Sequence, residues 1–181
     1  IRGESGNDVI IGGNGIDEIL GGNGDDNISD TGNSTIYGEG GSDIIYSRKD
    51  QNTYGSEKGL TVFGGDGDDQ IYNYYGSFKK VDAGSGDDTV YAEALGSEQA
   101  ILLGGEGYDK LTVRWISNSI NWSLITGFEE LYFGDHGGSA NIVFPNSFGQ
   151  SGTTLKIRSN AWSHPLVLDF SAELDASLDI T

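Results

Sequence analysis

The chain of 181 residues has no cysteine, no methionine, two prolines, two histidines, and only 10 basic residues against 28 acidic ones. Each scarcity excludes something. Without cysteine there is no disulfide framework, so stability has to come from a packed core or from bound metal. A net charge of -18 and a pI near 4.1 argue against nucleic acid, whose phosphates call for Lys and Arg, and against anionic membrane surfaces. No apolar run approaches the ~20 residues of a membrane span. No basic-then-apolar N-terminal stretch marks a signal peptide. The missing initiator methionine and a start in mid-pattern read as a segment of a longer chain.

Catalytic signatures are equally scarce. No GxSxG elbow is present. His136, in GDHGGS, and His164, in WSHPL, read as turn residues. A glycosidase needs two carboxylates in a cleft, and 28 acidic residues make such pairs too plentiful to carry meaning. The chain itself is therefore read as having no catalytic site.

What is abundant is glycine, 30 residues of it. Glycine with excess acid suits a disordered linker, but here the apolar residues recur at a fixed period, which a linker does not need. Residues 12–29 spell two nine-residue phrases of the form Gly-Gly-x-Gly-x-Asp-x-apolar-x. Good copies start at Gly12, Gly21 and Gly64, and nearer approximations at Gly3, Gly38, Ala83 and Gly104. The sixth-place carboxylates are Asp8, Asp17, Asp26, Asp43, Asp69, Asp88 and Asp109. The eighth-place apolar residues are Ile10, Ile19, Ile28, Ile45, Ile71, Val90 and Leu111.

This pattern resembles the RTX family, the calcium-binding nonapeptide repeats of secreted bacterial proteins, over roughly residues 1–112. The resemblance implies an all-β fold, a parallel β-roll or right-handed β-solenoid. In each unit six residues turn and three form a strand, and two units make a coil. It also implies Ca²⁺ as the ion and type I secretion to the extracellular space or cell surface as the route. The rest of a larger secreted chain is the implied partner. The physics fits. Glycine takes positive φ without penalty and lets carbonyls converge. Calcium wants six to eight oxygens, more than one turn with a single Asp supplies, so stacked turns would share ions.

Loops two units apart should stack, about 18 residues apart. By that arithmetic the turns form two ion rows on opposite edges. Asp8, Asp26 and Asp43 hold one row, and Asp69, Asp88 and Asp109 the other, because 26 residues, nearly three units, separate the two sets. Asp17 is a weaker ligand, since the next unit on its edge places Ser34 where Asp belongs. Backbone carbonyls of the first and third turn positions are expected to complete the sites. The first positions are Gly3, Gly21, Gly38, Gly64, Ala83 and Gly104. The third are Ser5, Asn23, Gly40, Asp66, Ser85 and Glu106. Lys79, in a unit without the Asp, stands near a ligand position and could replace an ion, although a drifted solvent loop explains it as well. The unit at 92–103 reads as a metal-free bulge.

Ninth-place residues should face outward, and they include Tyr37, Tyr46, Phe63, Tyr72 and Tyr91. They read first as cross-strand packing and second as a binding surface. After Thr112 the repeats stop. Residues 113–181 read as a C-terminal β-rich cap, either a solenoid extension or a small sandwich, with Trp115, Trp122 and Trp162 in its core. The phrase ITGFEELYF looks like segments that follow RTX rolls. The function expected from all this is a calcium-ordered structural module of a secreted protein. The alternative is an adhesin or carbohydrate-binding module, with calcium as scaffold and a glycan or cell surface as partner.

Overall fold

The computed structural model describes residues 1–47, 59–74, 78–95, 100–116, 120–134, 140–145, 154–159, 166–169 and 177–180. They form an all-β solenoid of about six turns made of parallel strands. Odd-numbered strands build one sheet: β1 (Arg2–Ser5), β3 (Glu18–Asn23), β5 (Thr35–Gly40), β7 (Leu60–Asp66), β9 (Phe78–Ser85), β11 (Ile101–Glu106) and β13 (Ile125–Thr126). Even-numbered strands build the facing sheet: β2 (Val9–Ile11), β4 (Asn27–Asp30), β6 (Ile44–Ser47), β8 (Gln70–Asn73), β10 (Thr89–Leu95), β12 (Lys110–Ile116), β14 (Glu130–Phe133), β16 (Thr154–Ser159) and β18 (Ser177–Ile180). A separate parallel pair joins β15 (Ala140–Val143) to β17 (Leu166–Asp169).

Register explains why the nine-residue period works. Each strand pairs with the strand one full coil later, so like residues stack in columns. In the even sheet Ile10, Ile28, Ile45, Ile71, Val90, Leu111, Leu131 and Ile157 lie in one column. In the odd sheet Ile19, Ile36, Val62, Val81, Leu102 and Ile125 form the facing column. All of them are buried, and all but Ile10 almost completely. Branched side chains suit a thin core squeezed between two pleated surfaces. Every eighth-place residue read from the sequence is in these columns.

Parallel pairing continues past residue 112. Strand β12 crosses that position unbroken, and β14, β16 and β18 extend the same sheet. Of the three tryptophans, Trp122 is buried and packs against Phe133 and Phe144, with ring centroids 5.8 Å and 5.4 Å away. Trp115 does not join a core, since 44% of its surface is exposed. Leu111 and Val113 of β12 are buried, whereas Trp115, two residues further in the same phase, is not covered. Trp162, His136 and His164 lie outside the described residues.

Candidate metal centre

All six turns that carry Asp8, Asp26, Asp43, Asp69, Asp88 and Asp109 run from an odd strand to the following even strand. They therefore share one edge. The backbone N–H of Asp8 donates to Asp26 Oδ1, that of Asp26 to Asp43 Oδ1, and that of Asp43 to Asp69 Oδ1, each at 2.8 Å. The chain of contacts continues from Asp69 to Asp88 at 2.8 Å and from Asp88 to Asp109 at 2.9 Å. One continuous row replaces the two rows on opposite edges that counting by nines suggests. The difference lies in the 26-residue step from Asp43 to Asp69. That step is a single coil, because β5 pairs directly with β7 and β6 with β8. In sequence the extra residues fall between Ser47, which ends β6, and Gly59, just before β7.

One oxygen of each carboxylate from Asp26 to Asp109 is thus occupied. The other, Oδ2, is buried in all six aspartates and has no hydrogen-bond partner. It does have a neighbour. Asp8 Oδ2 and the carbonyl of Gly21 both lie within 2.7 Å of the point where a β-carbon on Gly3 would stand. The same meeting recurs at Gly21, with Asp26 Oδ2 and the Gly38 carbonyl, and at Gly38, with Asp43 Oδ2 and the Gly64 carbonyl. It recurs again at Gly64, with Asp69 and the Ala83 carbonyl, and at Gly104, with Asp109 and the Gly127 carbonyl. At these five first places glycine leaves the cradle open, since a β-carbon would fill it; at the sixth, the step of Asp88, Ala83 stands there and is buried. Second-place Gly65, at φ +119°, is required for another reason: it lies in a backbone region closed to most side chains and abuts the Glu39 carbonyl.

The third-place carbonyls are used differently. Those of Asn23, Gly40, Asp66, Ser85 and Glu106 accept the N–H of the fourth-place glycine in the preceding coil, at 2.7–2.9 Å. Of the two carbonyl sets expected from the sequence, the first-place set faces the orphaned carboxylate oxygens and the third-place set ties coil to coil. A second side-chain ladder runs alongside at the fifth place. Asn7, Asp25, Ser42, Asp68 and Asp87 each accept the N–H of the fifth-place residue one coil later. It runs opposite in direction to the sixth-place ladder. The fifth place reads as variable in the repeat, but its Asn, Asp and Ser share short side chains with an acceptor oxygen.

Burial without a partner raises the pKa of four members of the row. Desolvation is the main cause, followed by neighbouring carboxylates. It lifts Asp43 and Asp88 to about 6 and Asp69 and Asp109 to about 7. No basic side chain relieves this. Among the described residues the ion pairs are Lys80 with Asp82, Arg114 with Glu93, and both Lys110 and Arg158 with Glu130. None involves the row. Lys79 lies in β9, exposed, and not in a turn of the carboxylate edge. Of the 92–103 unit, 92–95 end β10 and 101–103 begin β11, while 96–99 lie outside the described residues.

The row ends at a residue that the repeat pattern conceals. The N–H of Asp109 donates to Glu129 Oε2 at 2.8 Å, so Glu129 takes the next step of the ladder. Its turn is shorter and puts Phe128, buried, where the earlier turns have glycine and backbone. The next residue, Glu130, meets Lys110 and Arg158. Fixed cations thus appear where the glycine turns stop. Asp17 lies on the opposite edge, where its N–H donates to Ser34 Oγ at 2.9 Å.

Among the described residues no three acidic or histidine side chains converge on one point. An ion here would be held by one or two carboxylates and by backbone carbonyls. That all-oxygen set suits a hard cation that tolerates irregular geometry, which is the chemistry of calcium. The chain matches the family model described as RTX calcium-binding nonapeptide repeat in four copies, over residues 2–29, 28–54, 61–73 and 80–94. Over those residues the repeats are RTX repeats. Comparison with curated proteins and with solved structures gives no match. Calcium is the ion that RTX nonapeptides bind, and the RTX roll is a calcium-binding structural element. The turn at 104–109 lies beyond the matched residues, yet Asp109 continues the same ladder.

Proposed function

We propose that this RTX roll is a calcium-dependent folding module of a secreted bacterial protein. The observation that carries the reading is the column of buried Oδ2 atoms, each without a partner and most set against a first-place carbonyl of the next coil. In this reading one ion sits at each step. Asp8 holds it with the Gly21 carbonyl, Asp26 with Gly38, Asp43 with Gly64, Asp69 with Ala83, and Asp109 with Gly127. Asp88 Oδ2 is orphaned like the others, but Ala83 puts a β-carbon at the first place of its turn, so this step is the least open of the six. Residues 113–181 serve as a metal-free extension that closes the roll.

Without calcium the row opposes its own folding, since carboxylates are buried and charged beside one another. A chain at -18 net charge then stays expanded. That state suits passage through an export channel where free calcium is low. In millimolar calcium, a site at a hundredfold excess over its Kd contributes about 2.7 kcal/mol. A few such sites match the ~5–15 kcal/mol that holds a whole domain together.

The outward aromatics support a structural role. Tyr37 and Phe63 stack with centroids 5.0 Å apart, and Tyr46 and Tyr72 at 5.3 Å, so these rings cover each other's faces. The test is far-UV circular dichroism during a calcium titration, with magnesium as control. A coil-to-β transition with calcium alone is expected. A chain equally β-structured in chelator would overturn the reading.

A further inference from the structure

The carboxylate edge changes shape where the row ends. Leu103 pairs with Thr126 and Lys110 with Glu130, so the six residues 104–109 face only three, 127–129, in the next coil. The step this leaves is a cavity of about 670 Å³ with Glu106, Tyr108, Glu129, Thr154 and Lys156 in its wall. Its size is ordinary for a ligand site.

Two repeating contacts break off there. The N–H groups of Gly6, Gly24, Gly41, Gly67 and Gly86 each donate to the third-place carbonyl of the next coil. The shorter turn offers Gly107 no such carbonyl, so this donor is left on the cavity wall. The fifth place changes as well. Where Asn7, Asp25, Ser42, Asp68 and Asp87 put short acceptors, Tyr108 puts an aromatic ring. Its N–H still donates to Asp87, and its hydroxyl donates to Glu130 Oε2 at 3.2 Å, which fixes the ring across the step. Lys156 Nζ lies 4.9 Å from the ring centroid. The outward tyrosines of the even sheet stack on one another, whereas Tyr108 stacks on no other ring among the described residues and is 38% exposed.

This lining selects a ligand by its chemistry. Glu106 accepts hydrogen bonds from hydroxyls, as does Glu129 through the oxygen that Asp109 does not use. The Gly107 N–H and the Lys156 ammonium donate, and the phenol ring offers a flat apolar surface. A sugar carries both kinds of surface, hydroxyls on its rim and C–H groups on its faces. Phosphates and uronates are disfavoured by two carboxylates against one ammonium, in a chain of net charge -18. A wholly apolar ligand would strand the polar groups without partners. We propose that this step binds a short neutral glycan, with one sugar ring against the exposed part of Tyr108 and its hydroxyls shared among Glu106, Glu129, Lys156 and the Gly107 N–H. The site goes beyond the folding role of the row, since it spans the last glycine turn and strand β16.

The test is amide NMR of the full chain in millimolar calcium, titrated with maltotriose, cellotriose and chitotriose, and with trigalacturonate as the charged control. At least one neutral trisaccharide is expected to shift the Gly107 and Tyr108 signals saturably, and trigalacturonate is not. Tyr108→Ala should weaken that binding about tenfold. Tyr108→Phe keeps the ring and should preserve it. Glu106→Gln should weaken it with the fold intact, and decides the matter should Tyr108→Ala not fold. No saturable shift with any of the three, parent-like binding by both Tyr108→Ala and Glu106→Gln, or a preference for trigalacturonate would overturn the proposal. Circular dichroism of the same samples with and without calcium reads the folding role separately, so a chain that folds with calcium yet binds no trisaccharide refutes the glycan site alone.

Discussion

Each aspartate of the row from Asp26 to Asp109 divides its two oxygens between two tasks. Oδ1 fixes the spacing of coils by accepting the preceding aspartate's N–H, and Oδ2 is left buried for an ion. Because the row is continuous, Asp43 and Asp69 are interior members and not the ends of separate rows. Asp43→Ala and Asp69→Ala should therefore raise the calcium midpoint of folding as much as Asp26→Ala or Asp88→Ala. Each change removes a charge-assisted hydrogen bond worth about 1.5–3 kcal/mol and an ion worth about 2.7 kcal/mol at a hundredfold excess. Calcium titrations of the four variants check this. Markedly milder effects at Asp43 and Asp69 would restore the picture of two rows. Asp69→Asn separates the two tasks, since it keeps an acceptor and loses the charge. It should fold at saturating calcium but with a higher midpoint than the parent.

At the scale of elements, the strands are held by repetition and the edges by what the turns contain. The Tyr46, Tyr72 and Tyr91 column of the even sheet stacks along its length, with centroid separations of 5.3 Å and 6.2 Å. Tyr72→Ala breaks both contacts and should cost about 1–2 kcal/mol, read as a lower melting temperature in saturating calcium. The number of bound ions should not change, because the column faces away from the carboxylate edge. A loss of ions would mean that the aromatic face and the row are coupled. The strands and their inward columns were legible in the sequence because register repeats every coil and the eighth place is nearly always Ile, Val or Leu. The edge assignment was not. Counting by nines treats the stretch between Ser47 and Gly59 as repeat units, whereas the pairing of β5 with β7 makes it part of one long coil. Glu129 was hidden because its turn, GFEE, keeps only Gly127 of the glycines that mark the others. Trp115 misleads for a similar reason, since apolar character does not show where a narrow roll ends.

For the whole molecule, protons and calcium compete for the same oxygens. The aspartates at 43, 69, 88 and 109 have folded-state values of about 6 to 7, above the ordinary 3.8. A carboxyl whose value is raised by folding binds more protons when folded, so between the two values stability falls as pH rises. In chelator, these four groups favour the roll below about pH 4 and cease to do so as pH passes 7. The overall charge acts in the same direction, since acid reduces the -18 that expands the chain. Metal-free chain should therefore show more β-structure at pH 5 than at pH 8. Calcium should reverse the order of the two samples, because it binds the ionised row. Its apparent affinity should weaken as pH drops through 7 to 6. Circular dichroism at pH 5 and pH 8, each in chelator and in millimolar calcium, gives the four values needed. If chelated samples are equally unstructured at both pH values, the buried row is not what holds the metal-free chain open. The burden would then pass to charge spread over the whole surface, which a titration in high salt would expose by screening.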